Sequence, residues 1–393
     1  MVQCPDRIIA SIDTGVDDAL ALAYLLGSTD ECELGGVIAS YGNVDANTAY
    51  ANTCAVLDLF GRADIPVFLG SEHPSWADAF IPDAGCAQFH GDDGLGNTRL
   101  AGSGALADGA CVPGDDMSVD VPDEVVSVGG YLAGDVHAHP ALGACSRVNR
   151  SRSVDHPQSA MPTALASGGK RRCSVDAADG IEYLIEQVRE FGRDVTVLAT
   201  GPLTDVDAAI TRAPDIASKL RLVMMGGTLT QPGNCWDAVA ETNIIQDPEA
   251  ANRVFHSGAD ITMVGLDVTH QCLLPQSAAD RWRATGTKRG RFLADLADFS
   301  IKANLEADPA LFSGGMPLHD PLAAAVALDS SLVDCFDLAL RAETNTGDFN
   351  GVRGRTTGDP VGLAGFPGTV GEKCAEINGD GVHHNRRDDL VDL

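Results

Sequence analysis

Residues Arg7–Leu26 read RIIASIDTGVDDALALAYLL and carry the most specific structural signal in the chain. The first residues of this stretch form an apolar run typical of a buried strand, and Asp13 breaks that run. Asp17 and Asp18 then begin an Ala- and Leu-rich segment that predicts a helix. Because like charges oppose each other's ionisation, carboxylates this close together require a positive partner. The cluster contains no Cys or His, so its oxygen ligands indicate a divalent cation such as Ca²⁺ or Mg²⁺.

The composition predicts a large globular protein with an acidic surface. The chain has 393 residues, of which 44% are hydrophobic, and its formal net charge is −29. Binding to nucleic acid or to an anionic membrane depends on Lys and Arg, so this charge argues against both partners. The 11 cysteines are scattered without a C-x-x-C pair, which indicates neither a zinc site nor a disulfide framework. We therefore expect a cytoplasmic protein.

Apolar runs alternate with helical segments, which predicts an α/β fold with a mostly parallel central sheet and helices on both faces. The predicted strands are 7–12, 34–40, 66–69, 195–199, 222–225 and 261–266. The predicted helices include 18–26, 47–60, 179–190, 248–255, 291–305 and 321–328. Ligands bind outside the carboxyl ends of the strands in such sheets. Polar or Gly-rich residues follow most of these strands, so one pocket is expected at that edge.

Two regions depart from the alternating pattern. Residues 98–176 are rich in Gly, Ala, Ser and Pro without a steady period, which favours a flexible low-complexity insertion over a separate small domain. Residues 360–393 form a divergent tail that ends like a terminal helix cut short. The rest of the chain predicts a single domain over 1–393, without internal repeats.

Short motifs follow one another along most of the chain. After SIDTGVDD at 11–18 come, in order, YGN at 41–43, HGDDGLG at 90–96, TGPLT at 200–204, MMGG at 224–227, AETNII at 240–245, VGLDVTH at 264–270 and HDP at 319–321. This series resembles the inosine–uridine-type nucleoside hydrolases, whose entry motif is D-x-D-P-G-x-D-D. So many matches in order are a specific signal. They imply an open, Rossmann-like nucleoside hydrolase fold with the active site at the carboxyl ends of the strands.

The resemblance also implies a metal site. The ion would be Ca²⁺, held by Asp13, Asp18, Asp320 and the backbone carbonyl of Thr200. These groups leave open positions on a cation that prefers six to eight oxygens, and water and the ribose 2′- and 3′-hydroxyls would fill them. Ser11 stands where the family usually has Asp, so loss of a carboxylate next to the ligands predicts weaker metal binding.

The implied reaction is hydrolysis of the N-glycosidic bond of ribonucleosides to free base and ribose, as in purine or pyrimidine salvage. Asp13 would act as general base on a Ca²⁺-bound water, which attacks C1′ through an oxocarbenium-like transition state. His319 would protonate or hydrogen-bond the departing base, and His90 would close over it from a lid-like loop. The implied substrate-binding residues are Asp17, Asn43 and Asn243 for the ribose diol, Asn234 and Glu241 for the 5′-hydroxyl, and Met225 beside the sugar.

Several of these residues also have a purely structural interpretation. Asp17 and Asp18 could cap a helix, and Asn43 could be a turn residue. Met225 could belong to the core. His319 could orient the neighbouring aspartate by a hydrogen bond instead of acting on the base.

The remaining candidates divide in the same way. Thr200 is expected to act through its carbonyl, so its side chain could be incidental. Glu241 and Asn243 lie two residues apart, a spacing that projects both to one side of an extended segment. Asp267 and His270 are expected to be structural residues of a turn at a strand end.

Short motifs of the chain also resemble those of other protein classes. Asp-Thr-Gly at 13–15 resembles half of an aspartic protease site, but that chemistry needs two carboxylates and the chain has no second such triplet. A phosphatase with an aspartyl nucleophile would need Asp where Gly15 stands. The non-enzyme alternative is a catalytically impaired nucleoside- or ribose-binding protein on the same scaffold. The expected partners are a small-molecule ribonucleoside and further copies of the chain, in a dimer or tetramer.

Overall fold

The computed structural model describes residues 6–82, 84–98, 100, 173–174, 177–235, 238–359 and 373–377. Most of the predicted insertion at 98–176 and of the predicted tail at 360–393 lies outside these residues, so both stay predictions. Within the described part of the chain, no helix is long and apolar enough to cross a membrane.

The elements alternate along the chain as the sequence pattern predicts. The strands are β1 (Asp6–Ile12), β2 (Cys32–Ala39), β3 (Val67–Leu69), β4 (Cys173–Ser174), β5 (Val195–Ala199), β6 (Arg221–Met225), β7 (Asp260–Val264), β8 (Leu273–Leu274), β9 (Met316–Pro317), β10 (Val333–Asp337), β11 (Ala339–Ala342), β12 (Thr356–Asp359) and β13 (Lys373–Ile377). The α-helices are α1 (Val16–Gly27), α2 (Ala46–Leu59), α3 (Ala84–His90), α4 (Ala177–Phe191), α5 (Thr204–Arg212), α6 (Thr242–Gln246), α7 (Pro248–Phe255), α8 (Leu266–Thr269), α9 (Gln276–Ala284), α10 (Lys288–Ala307), α11 (Pro309–Phe312) and α12 (His319–Leu328). Short 3-10 helices cover Gly192–Asp194, Pro214–Lys219, Ser330–Leu332 and Gly347–Val352.

The main sheet has the strand order β10-β13-β7-β6-β5-β1-β2-β3-β4. Neighbouring strands in it run parallel, except that β10 pairs antiparallel with β13. The predicted fold class is therefore confirmed. Each predicted strand and helix is also confirmed to within about three residues at its ends.

The central strand β1 shows why its sequence is almost continuously apolar. Side chains alternate between the two faces of a strand, so Ile8, Ala10 and Ile12 pack on one side and Ile9 on the other. The first side is covered by α1, α2, α10 and α12, and the second by α4, α5 and α7. Both faces are buried, which is the usual situation of a parallel sheet.

The site lies where the strands of this sheet end. Asp13 follows β1, Asn43 follows β2 after a short turn, and Thr200 follows β5 directly. Helix α12 packs against α1. Asp320 in the first turn of α12 is thereby brought to the same edge as the first turn of α1.

Candidate metal and substrate site

The junction between β1 and α1 places three carboxylates at one point of the sheet edge. Gly15 is the N-cap of α1 in an extended conformation, and its N–H donates a 2.7 Å hydrogen bond to Oδ2 of Asp18. Asp17 and Asp18 thus occupy the first turn, where the helix dipole favours negative charge. Asp13 lies just before the helix and is completely buried.

Asp320 completes a compact acidic group. One carboxylate oxygen from each of Asp17, Asp18 and Asp320 lies within 4.8 Å of the others. Asp18 and Asp320 are buried, and the side chain of Asp17 is partly exposed. Asp13 is their neighbour, since it raises the pKa of Asp320 through its charge. We call these four residues the site carboxylates. Helix capping explains the position of Asp17 and Asp18, but it does not explain two further buried carboxylates beside them.

Burial disfavours the ionised form of all four site carboxylates. Burial, followed by the charges of Asp18 and Asp17, raises the pKa of Asp13 well above its usual range. Burial also raises the pKa of Asp17 to about 6 and holds the pKa of Asp320 well above its usual value. Oδ1 of Asp13 and Oδ1 of Asp17 are buried without a hydrogen-bond partner. Hard oxygen donors with orphaned atoms fit Ca²⁺ or Mg²⁺.

Two tight turns shape the surroundings of Asp13. Its Oδ2 accepts a 2.7 Å hydrogen bond from the backbone N–H of Asn43. A Cβ atom added at Gly42 would clash with the Asp13 carboxylate, and one added at Gly201 would lie about 3 Å from its carboxyl carbon. Asn43 also donates from Nδ2 to Oδ2 of Asp18 over 3.3 Å. The glycines therefore let the backbone close around one buried carboxylate.

Thr200 contributes more than its backbone. Its carbonyl accepts a 2.7 Å hydrogen bond from Nδ2 of Asn243, while its hydroxyl donates over 2.6 Å to Oδ1 of Asp18. The expectation that this side chain is incidental is wrong, because the hydroxyl fixes one oxygen of Asp18. Nδ2 of Asn243 also reaches the carbonyl of Met225 at 3.1 Å. Met225 is 3% exposed at the end of β6, where it belongs to the core and lines the cavity.

Glu241 and Asn234 form the polar wall beyond Asn243. Glu241 is extended as expected, but the extended segment does not continue to Asn243, because residues Thr242–Gln246 form helix α6 and Glu241 is its N-cap. Its carboxylate accepts the backbone N–H groups of Asn243, Gly227 and Ile244 at 2.9 to 3.1 Å. Oδ1 of Asn234 accepts from the N–H and the hydroxyl of Thr242.

His90 lies beside the acidic group, next to Asp17. It is the last residue of helix α3, so its expected position in a loop is wrong. Its Nδ1 accepts the N–H of Val16 at 3.2 Å and lies 3.5 Å from Oδ1 of Asp17. Burial lowers the pKa of His90 to about 4, so its ring is neutral near pH 7.

His319 and His270 lie together at the third side of the site. Nδ1 of His319 is 2.8 Å from the hydroxyl of Thr269, and the rings of the two histidines meet edge-on at 5.7 Å between centroids. Burial lowers the pKa of His319 well below its usual value. His270 also packs edge-on against Phe312.

A cavity of about 540 Å³ joins these groups. Of the predicted site residues, Asp13 and Asp18 lie behind its wall, and the others line it: Asp17, Asn43, His90, Thr200, Met225, Asn234, Glu241, Asn243, His319 and Asp320. The sequence interpretation did not include lining residues from α3, α10 and α11, namely Phe89, Ser300, Asn304 and Phe312. Ser300 and Asn304 lie four apart in a helix, a spacing that could have shown that they share a face.

Asp267 and His270 have separate roles in the structure. Asp267 accepts hydrogen bonds from the backbone N–H groups of Leu229, Thr230 and Gln231, which confirms it as a structural residue. His270 lines the cavity, so it is more than part of a turn.

Ser11 has no direct contact with the acidic group. Its hydroxyl donates to the buried carboxylate of Asp205 over 3.1 Å, and Asp205 also accepts the N–H of Ser71. A second buried carboxylate thus lies beneath the site, on the other side of β1.

The chain is similar to known proteins in sequence and in fold. Residues 8–383 match the family model described as "Inosine-uridine preferring nucleoside hydrolase". The chain is 31% identical over 344 residues to the pyrimidine-specific ribonucleoside hydrolase RihA of Shewanella oneidensis, covering 87% of this chain and 83% of that protein.

Solved structures give the same grouping. A purine-preferring ribonucleoside hydrolase from Gardnerella vaginalis superposes with a TM-score of 0.71 at 32% identity, covering 98% of this chain and 97% of that one. The plant nucleoside hydrolase PpNRh1 superposes with a TM-score of 0.72 at 26% identity, covering 99% and 98%.

Proposed function

This chain belongs to the inosine-uridine preferring nucleoside hydrolase family and hydrolyses ribonucleosides to base and ribose, and we propose that its site carboxylates hold Ca²⁺ for that reaction. The observation that carries the proposal is the group formed by Asp17, Asp18 and Asp320, with the orphaned oxygens of Asp13 and Asp17 beside it. Such a group is unfavourable without a cation. The cavity beside this group has a volume of about 540 Å³, which suits a small molecule such as a ribonucleoside.

Ca²⁺ would be held by Asp13, Asp18, Asp320 and the carbonyl of Thr200. All four donors are hard oxygens, and their number leaves room for further oxygen ligands. When bound, the ion supplies positive charge that lowers the pKa of a nearby water and anchors the ribose diol. Asp17 belongs to the acidic group and also lines the cavity, so it is suited to bind a hydroxyl of the sugar.

Asp13 is the proposed general base. The N–H of Asn43 occupies its Oδ2 and holds the carboxylate in place, while Oδ1 has no hydrogen-bond partner. Oδ1 is therefore the atom that can accept the proton of the attacking water. As water adds to C1′, positive charge develops on the sugar ring, and the neighbouring carboxylates stabilise that oxocarbenium-like charge.

The ribose would be held along the wall of the cavity. Asp17, Asn43 and Asn243 would bind its diol side, with Met225 against the ring. Asn234 and Glu241 would bind the 5′-hydroxyl. The Glu241 carboxylate already accepts three N–H groups, and because a carboxylate has about four acceptor sites, one remains for the substrate.

His319 and His90 would act at the nucleobase. Both rings line the cavity and both are kept neutral by burial, so each can offer a hydrogen bond rather than a positive charge. His319 would bind the departing base, and His90 would contact it from α3. The relatives include a pyrimidine-specific and a purine-preferring enzyme, so the preferred base has to be measured.

The test combines a substrate panel with one pair of variants. The protein is incubated with inosine, uridine, cytidine or adenosine, with added Ca²⁺ or with a chelator, and free ribose is measured. We expect release that requires Ca²⁺ and that Asp13→Ala abolishes, while Asp13→Ala still binds nucleoside. The matched control is Asp267→Asn, which changes a buried aspartate of the same sheet edge outside the acidic group.

Two results would contradict the proposal. Full activity after complete removal of divalent cations would exclude the metal, and normal turnover by Asp13→Ala would exclude Asp13 as the base. Nucleoside binding without release of any base, in the Ca²⁺-loaded protein, would favour the alternative of an impaired binding protein.

Assembly and location complete the proposal. We expect a homodimer or homotetramer, which light scattering of the purified protein would measure. Cytoplasmic location is proposed from the sequence, because its 11 cysteines are scattered without a C-x-x-C pair or a disulfide framework.

A further inference from the structure

The contact between Thr269 and His319 is the starting point. Oγ1 of Thr269 lies 2.8 Å from Nδ1 of His319, at the end of α8. Thr269 is 0% exposed, and in the described part of the chain its hydroxyl has no other hydrogen-bond partner. A buried hydroxyl that finds no acceptor keeps the full penalty of leaving water. His319 is therefore the group that must accept the hydrogen bond of the Thr269 hydroxyl.

The donor and acceptor roles follow from this isolation. If Nδ1 carried the imidazole proton, the hydroxyl hydrogen of Thr269 would have no acceptor. If Nδ1 is unprotonated, it accepts that hydrogen and both groups are satisfied. A neutral imidazole that accepts at Nδ1 carries its own proton at Nε2. His319 lines the substrate cavity, and Nε2 is the ring nitrogen that remains for a ligand.

The ring plane of His319 is restrained independently. His270 packs edge-on against it at 5.7 Å between ring centroids, with 62° between the planes. Phe312 in turn packs edge-on against His270 at 5.4 Å. These contacts limit rotation of the His319 ring and so keep Nδ1 beside Thr269. The hydroxyl of Thr269 then determines which ring nitrogen carries the proton.

We infer that Thr269 is a positioning residue for the departure of the base, because its hydroxyl holds His319 in the tautomer that presents Nε2–H to the leaving group. The inference rests on the proposed role of His319. As the C1′–N bond breaks, its electron pair stays on the base, and Nε2–H donates a hydrogen bond to the atom where that charge collects. The proton remains on Nε2, and the base takes its own proton from solvent.

The experiment compares leaving groups that differ in their need for this hydrogen bond. Uridine and inosine leave as anions that are more basic than 4-nitrophenolate, the leaving group of 4-nitrophenyl β-D-ribofuranoside. We expect Thr269→Val to lower kcat for the nucleosides roughly 10- to 100-fold, with KM changed less than about threefold. The kcat for the aryl riboside should fall less than about threefold. Thr269→Ser keeps the hydroxyl and should restore most of the nucleoside activity.

A matched control separates this effect from loss of any buried hydroxyl. The hydroxyl of Thr53 is also fully buried and bonds to Thr14 and to the carbonyl of Ala49. Thr53→Val should keep the wild-type ratio of nucleoside to aryl riboside rates. Equal loss on both substrates in Thr269→Val, or the same selective loss in Thr53→Val, would overturn the inference.

Two further measurements keep the result clear. If His319→Ala cleaves nucleosides at the wild-type rate, the proposed role of His319 fails. If His319→Ala is slow but Thr269→Val is normal, only the role of Thr269 fails.

Nitrogen-15 NMR of histidine-labelled wild-type protein, with His319→Ala used for assignment, needs no folded Thr269 variant. Protonation at Nε2 is expected, and protonation at Nδ1 would overturn the inference.

Discussion

Two sets of aspartates lie near the same sheet edge and differ in how many of their carboxylate oxygens accept hydrogen bonds. Asp247 and Asp267, which we call the clamp carboxylates, each accept four hydrogen bonds. Their donors are backbone N–H groups and hydroxyls of neighbouring loops and of the first turns of helices α5 and α7. Among the site carboxylates, Asp13 and Asp17 each keep a buried oxygen without a partner.

The difference teaches that burial alone does not identify a functional carboxylate. Asp247 and Asp13 are both 0% exposed, but Asp247 replaces water with four protein donors while Asp13 lies beside other carboxylates. A buried anion surrounded by donors stabilises the fold. A buried anion surrounded by anions requires a ligand.

The largest expected effect comes from substituting a site carboxylate. Asp18→Asn should weaken Ca²⁺ binding and lower kcat/KM at least about 100-fold at limiting Ca²⁺, because the ion contributes several kcal/mol of charge stabilisation. The metal-free variant should be as stable as the metal-free wild type or more stable, since a buried charge is removed. Calcium titration, ribose release and urea unfolding measure the three quantities. Unchanged Ca²⁺ affinity would remove Asp18 from the metal site.

The opposite pattern is expected for a clamp carboxylate. Asp247→Asn should lower the free energy of unfolding by about 2–4 kcal/mol, because its single amide nitrogen would face the N–H group of either Ser75 or Ala250, which bond to different oxygens of the wild-type carboxylate. Turnover per folded molecule should stay near the wild-type value, as Asp247 does not line the cavity. Urea unfolding and kcat corrected for folded protein test this. Loss of kcat without loss of stability would end the distinction between the two sets.

The pH dependence of stability should differ between metal-free and Ca²⁺-loaded protein. Burial raises the pKa of Asp17 from 3.8 to about 6, so the folded metal-free chain binds more protons than the unfolded chain between these values. Its stability should therefore fall by about 1–2 kcal/mol as the pH rises from about 4 to about 6. Melting temperatures in chelator across this window measure the slope. In the metal-free protein, Asp17→Asn should flatten this slope. An equal slope in the wild type and in Asp17→Asn would contradict the assignment of the pH dependence to Asp17.

The smallest expected effect concerns Ser11. Its hydroxyl contacts Asp205 rather than the site carboxylates, so Ser11→Ala should lower stability by about 0.5–1.5 kcal/mol, the value of one hydrogen bond. Calcium affinity should change less than about twofold. This departs from the expectation, drawn from the sequence, that Ser11 weakens metal binding. Ser11→Asp puts back the carboxylate that the family usually has at this position, and a clear gain of Ca²⁺ affinity in that variant would restore the expectation.

Local patterns predicted the part of the site that is local in the chain. Asp13, Asp17 and Asp18 were predicted from one strand-to-helix junction, because an apolar run and a helix start determine their positions. Asp320 depended on the family resemblance, since nothing around it indicates that α12 packs against α1.

Side-chain partners were harder to predict than positions. The Thr200 hydroxyl was expected to be incidental, yet it bonds to Asp18 through a contact between distant segments. Glu241 was expected on an extended segment, but its own carboxylate caps α6 and so starts the helix. Phe312 and Asn304 reach the cavity from α11 and α10, which carry no motif. Such contacts depend on tertiary packing that spacing along the chain does not encode.

Strand β13 has a consequence for how the protein is made. Of the described strands it is synthesised last, yet it lies in the sheet between β7 and β10 and pairs with both. During synthesis β7 and β10 leave the ribosome before residues Lys373–Ile377. The two strands cannot be connected through the sheet until that segment has been made. Until then β7 presents an open sheet edge, the kind of surface that recruits other unfinished chains. A polypeptide released before this segment would therefore be prone to aggregate, even though every proposed ligand of the ion had already been translated.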